Sequence, residues 1–160
     1  MAGMSPRTLT AVAAPRTVSI TSVVFTGSVK SPTITVHGSG FGPSAPPADP
    51  AYTPAGNTAP GITYTCPSTK RNDGFDYGLS GLWILDQSAT GFSAGRYDES
   101  LDELDCIGIR VLKYKDTLIK FRLGAAYAQY RNQYNWALNS GDSFTLEVLG
   151  TDYTGTVSYG

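Results

Sequence analysis

The stretch Thr33-Ile34-Thr35-Val36-His37-Gly38-Ser39-Gly40-Phe41-Gly42 constrains the fold more than any other. Ile34 and Val36 fall on one face, and Thr33, Thr35 and His37 on the other, the period of a half-buried strand. Gly38, Gly40 and Gly42 then break that period. Glycine takes positive φ without steric cost, so the chain can turn sharply here while Phe41 folds back towards a core. The pattern predicts a strand that ends in a tight, glycine-shaped corner.

Other segments read the same way. Thr17 to Phe25 is a strand with a shift of phase before Val23, and it pairs with Thr33 to His37 across a polar turn. Leu82-Trp83-Ile84-Leu85 is a short apolar run that fits a central strand, with Trp83 as a buried inner tryptophan. Ile107 to Tyr114 and Thr117 to Arg122 form a hairpin around Lys115-Asp116. Ser143 to Leu149 and Tyr153 to Tyr159 alternate as a final hairpin, with Phe144, Leu146 and Val148 on one face.

These segments resemble an IPT/TIG domain. The likeness is carried by the Thr33–Gly42 corner, by the hairpin from Val111 to Phe121, and by the closing text from Gly141 to Tyr159. It covers roughly residues 18–42 and 106–159. It implies an all-β, immunoglobulin-like β-sandwich of about seven strands, and it carries no catalytic motif. The chain departs from that pattern at Pro43–Asn72, a proline-rich insertion. All ten prolines lie at or before Pro67, so the insertion is expected to stay out of the ladders. The organisation expected is an arm or leader remnant at 1–16, then one domain at 17–160 with the insertion at 43–72.

At 160 residues the chain suits one core. Hydrophobic residues are 41% and charged residues 16%, which leaves a neutral surface rich in Gly, Ser, Thr and Tyr, as in extracellular β-proteins. The net charge of −1 and a sequence without runs of Lys and Arg argue against nucleic acid as a partner. No apolar run is long enough to span a membrane. Ala11-Val12-Ala13-Ala14 resembles the end of a signal peptide, although Met1–Thr10 supplies no apolar region before it. The chain has no Asn-x-Ser/Thr sequon, which suits a bacterial source. A secreted or surface-exposed protein is expected.

Cys66 and Cys106 are an even pair, so a disulfide between them is expected. Closing that loop of about 40 residues would stabilise the fold by roughly 4 kcal/mol. Two buried free thiols are the alternative.

Few residues suggest catalysis or metal binding. His37 stands among threonines on the polar face of a strand, and no nucleophile elbow, phosphate-binding glycine loop or Cys/His metal set occurs. A non-enzymatic protein is expected. Asp98, Glu99, Asp102, Glu103 and Asp105 form an acidic cluster. Calcium held by Asp98, Glu99 and Asp102 is one possibility, although the calcium-loop spacing is missing. The other is solvated acids around a short helix that starts at the capping-box pattern Ser100-Leu101-Asp102-Glu103.

The strongest functional signal is Tyr127-Ala128-Gln129-Tyr130-Arg131-Asn132-Gln133-Tyr134-Asn135-Trp136, placed between two strands and expected to be a loop. Aromatic faces stack on the apolar side of sugar rings while amides and guanidinium groups hydrogen-bond at the rim. The ligand-binding residues expected are Tyr127, Tyr130, Arg131, Tyr134 and Trp136, joined by Tyr97 or Tyr77. Alternatively, one or two of these rings plug the end of the sandwich. The function expected is a secreted, non-catalytic module that binds a polysaccharide or glycan. The alternative is a structural or adhesive surface subunit, assembling with copies of itself or with a surface protein through its N-terminal arm and proline-rich loop.

Overall fold

The structure, a computed structural model, describes residues 17–50, 74–78, 80–89, 91–96 and 107–160. Its elements in order are β1 (Ser19–Ser28), β2 (Ser31–Ser39), β3 (Asp49–Pro50), β4 (Phe75–Asp76), β5 (Leu82–Asp86), β6 (Ser93–Ala94), β7 (Ile109–Lys115), β8 (Leu118–Leu123), α1 (Ala126–Tyr134), β9 (Ser143–Val148) and β10 (Thr151–Thr156). One sheet has the order β1-β2-β8-β7-β4-β3 and the other β10-β9-β5-β6. All strand pairs are antiparallel.

The alternation seen in the sequence decides which side chains meet between the sheets. Phe25, Ile34, Val36, Ile119 and Phe121 from the first sheet share one core with Leu82, Ile84, Phe144 and Leu146 from the second. The fold is therefore an all-β sandwich. Each such side chain, fully buried, contributes about 1.5–3 kcal/mol from the hydrophobic effect. The phase shift expected in the first strand is a register shift between Ile20 and Ser22.

The glycine corner forms as expected, and its partners are remote in sequence. Gly40 and Gly42 have φ of 80° and 89°. Gly38 is needed for space instead, since a Cβ there would lie 1.9 Å from the Ser19 carbonyl oxygen. Phe41 turns into the core, where it is buried. The corner is pinned to the β7–β8 turn. Gly38 N–H donates to Thr117 O at 3.1 Å, Phe41 N–H to Asp116 O at 3.0 Å, and Gly42 N–H to the Asp116 carboxylate at 3.0 Å. Tyr114 Oη donates to Phe41 O at 2.7 Å.

Four expectations are corrected. The segment from Tyr127 to Trp136 is a helix and its return, where a loop was expected, because Tyr127, Tyr130 and Tyr134 repeat at helical spacing and two of them reach the core. Trp83 is buried but on the outer face of its sheet, since Leu82 and Ile84 take the inner positions. Asp49 and Pro50 do join a ladder, which proline tolerates here because β3 is an edge strand. The last strand ends at Thr156, and Tyr159 forms an isolated bridge with Phe25.

Cys66, Cys106, Tyr97, the acidic residues Asp98, Glu99, Asp102, Glu103 and Asp105, the helix expected at Ser100–Glu103 and the arm at 1–16 lie outside the described residues. No described helix is long and apolar enough to cross a membrane. Among the described residues no group of three or more His, Cys, Asp or Glu could hold a metal ion.

Candidate functional site

The helix α1 follows β8 directly, and its entry is fixed by Gly124 N–H donating to Gly108 O at 2.7 Å. It ends at Asn135, which adopts a left-handed conformation with φ 58° and donates its N–H to Arg131 O. Asparagine is one of the few residues that accept this geometry, and it ends the helix by reversing the chain. The reversal carries Trp136 back over the helix face that holds Tyr130 and Tyr134.

An aromatic stack results. The Tyr130 and Trp136 ring centroids are 5.0 Å apart with 22° between planes, and Tyr134 lies 5.2 Å from Trp136 and 5.7 Å from Tyr130. Trp136 is also parallel to Phe92, within 9°, at 6.2 Å. Offset-stacked pairs of this kind contribute about 0.5–1.5 kcal/mol beyond area burial.

The five residues expected to bind ligand thus divide by depth. Tyr127 and Tyr130 are buried, 3% and 0% exposed, and belong to the core. Tyr127 acts as a strut: its hydroxyl donates to Val29 O at 2.6 Å and accepts from Leu138 N–H at 3.2 Å. Burial pushes its phenol pKa up. Tyr134 and Trp136 are half-buried, packed on the core by one side. Gln133 Nε2 donates to the Tyr134 hydroxyl at 3.3 Å. Arg131, also half-buried, holds a buried Nε that no hydrogen bond satisfies. Tyr77 lies just after β4 and packs against the core, its phenol pKa also raised by burial. Of the expected set, Tyr134 and Trp136 with Arg131, and Tyr77 apart from them, keep partial exposure.

No family model, no curated protein and no solved structure matches the chain. Function has to be argued from the side chains themselves.

Two further groupings were not legible in the sequence. On the outer face of the four-stranded sheet, Trp83 donates its indole N–H to the Glu147 carboxylate, and the Arg96 guanidinium lies 5.0 Å from the Trp83 ring centre. Burial raises the Glu147 pKa, the Trp83 hydrogen bond opposes that shift, and Asp152, its partner across the ladder, adds to it. On the outer face of the six-stranded sheet, the register of β7 and β8 brings together cations that are scattered in the sequence. Arg110 pairs with Arg122 and Lys113 with Lys120, and Lys115 lies opposite Leu118. The lack of clustered Lys and Arg inferred from the linear sequence does not hold in the fold. The available signal was the pairing of the two strands, expected around Lys115-Asp116 and formed with Asp116-Thr117 as the turn.

Proposed function

We propose that the chain is a non-catalytic binding module, immunoglobulin-like and akin to IPT/TIG domains, that recognises a polysaccharide or glycan through Tyr134 and Trp136. It works in a protein that is secreted or displayed at the cell surface. The observation that carries this proposal is the position of Trp136, packed against Tyr130 and Phe92 while staying only half-buried.

A ring fixed in this way loses little entropy when a ligand stacks on it, which favours weak, repeated contacts such as those a polysaccharide makes. The exposed side chains of Asn132, Gln133 and Asn135 and the half-buried Arg131 lie in the same short segment and supply hydrogen-bonding groups beside the rings. Tyr127 and Tyr130 serve as scaffold beneath them. The likeness to IPT/TIG domains rests on the glycine corner and the two hairpins, and it supports a module that binds and does not catalyse.

The test is retention of the purified protein on a panel of soluble and insoluble neutral polysaccharides, alongside Trp136→Ala and Tyr134→Ala. Retention that both substitutions abolish, with the thermal unfolding profile still cooperative, is expected. Retention that neither substitution changes would remove the aromatic site from consideration.

A further inference from the structure

The geometry points to a second binding surface, the outer face of the β7–β8 hairpin, whose ligand is an acidic polysaccharide. It is separate from the aromatic stack and does not depend on the role proposed for Trp136.

The first observation is the ladder itself. Directly opposed side chains of like charge destabilise a sheet. This hairpin nevertheless places Arg110 opposite Arg122 and Lys113 opposite Lys120, and all four are exposed. Lys115, also exposed, extends the array by another position. At the Lys113–Lys120 rung the opposed like charges cost stability that an anion laid across them would restore. The outer positions of β1, β2, β7 and β8 carry no carboxylate; the ladder continues from Lys120 to Thr35 and from Arg122 to Thr33 on β2. Arg122 Nε donates to Thr33 Oγ1 at 3.2 Å, which holds the guanidinium over the sheet.

The second observation is a cleft at one end of the array. It has a volume of about 180 Å³ and is lined by Lys30, Ser31, Pro32, Arg122 and the residues that open α1. Arg122 belongs both to the ladder and to this cleft, so Lys30 continues the positive surface beyond the strand end. The third is polarity across the molecule. The outer face of the other sheet carries Glu147 and Asp152 beside Arg96, so the surplus of cations is confined to the β7–β8 face among the described strands.

The shape of the surface selects the ligand. Neighbouring strands are about 4.8 Å apart, so the cations form two adjacent rows, with the register shift between Val111 and Lys113 setting their spacing along β7. A flexible polymer with charges on successive sugar units can meet several of them at once. Nucleic acids bound on a sheet face use aromatic platforms for base stacking. Here the outer positions of β1, β2, β7 and β8 hold Thr33, Thr35, Val24, Leu112 and Leu118 among the cations, and no Phe, Tyr or Trp. Val24 and Leu112 are 43% and 47% exposed, and they provide apolar contact for sugar rings.

The test uses the full chain, alginate and dextran sulfate as acidic probes, uncharged dextran as the neutral probe, and double-stranded DNA as the competing polyanion. Lys113→Gln/Lys120→Gln and Trp136→Ala are measured beside the wild type. The expected result is binding to at least one acidic polysaccharide that weakens as salt is raised, while any binding to dextran is unchanged by the lysine substitutions. The double lysine variant should bind about tenfold more weakly and melt no lower than wild type. Trp136→Ala should bind the acidic probe as wild type does. Binding to neither acidic polysaccharide, or equal binding by the lysine variant, would overturn the proposal. So would tighter binding to DNA, or a charge-dependent association of the protein with itself in place of polymer binding.

Discussion

Tyr130 and Trp136 stack with ring centroids 5.0 Å apart, although the helix that carries Tyr130 has already ended when Trp136 begins. Their contact depends on one backbone conformation, the left-handed turn at Asn135. The first residue is buried in the core and the second reaches solvent. A rigid interior thus supports a surface ring, the arrangement that makes a binding face possible on so short an element.

Asn135→Val should separate the two rings. A β-branched residue pays roughly 1–2 kcal/mol for a left-handed backbone, so the unfolding midpoint in urea should fall accordingly, and the tryptophan near-ultraviolet circular dichroism should change. Asn135→Gly, which accepts that conformation, should keep both close to wild type. Equal behaviour of the two variants would mean that the turn does not position Trp136.

Tyr127→Phe removes the hydroxyl that joins Val29 O to Leu138 N–H. The buried Leu138 N–H and the half-buried Val29 O then lose this partner, at about 1–3 kcal/mol. Equilibrium unfolding in urea should show the loss with an unchanged slope. A variant as stable as wild type would show that water replaces the hydroxyl.

Asp86 gives the chain a defined pH response. Its side chain is 1% exposed, and burial raises its pKa above the usual 3.8, opposed by hydrogen bonds from Ser88 N–H and Ser88 Oγ. The folded state therefore holds this proton at pH values where the unfolded chain has released it. Linkage then requires stability to fall as pH rises from 3.8 through the raised folded value. Asp86→Asn keeps the Ser88 N–H partner and cannot ionise. Unfolding free energies measured between about pH 4 and 7 should slope less for Asp86→Asn than for wild type. Identical slopes would assign the response to other groups, with Glu147 as the next to test.

What the sequence displayed depended on how local each signal was. The glycine corner and the strand pairs flanking it rest on alternation and backbone permission, both readable within ten residues, and they stand in the structure. The helix α1 was hidden because its tyrosines are poor helix formers set among amides, and only the spacing of Tyr127, Tyr130 and Tyr134 betrayed it. Trp83 was misplaced because both faces of Leu82-Trp83-Ile84-Leu85 are apolar, so nothing local tells which one turns inward. The basic face needed the pairing register of β7 with β8, a property of two strands together. Within the candidate site, residue type identified the aromatic segment, while depth of burial separated the scaffold rings Tyr127 and Tyr130 from Tyr134 and Trp136.

The most direct test of the central claim is a fluorescence titration in a Trp83→Phe background, where Trp136 is the one remaining tryptophan of the two in the chain. Soluble fragments of a polysaccharide that retains the protein are the titrant. A saturable change in the intensity or position of Trp136 emission, with the affinity measured independently by calorimetry, is the predicted result. Calorimetric binding that leaves Trp136 emission unchanged would contradict the account and place the sugar elsewhere on the sandwich.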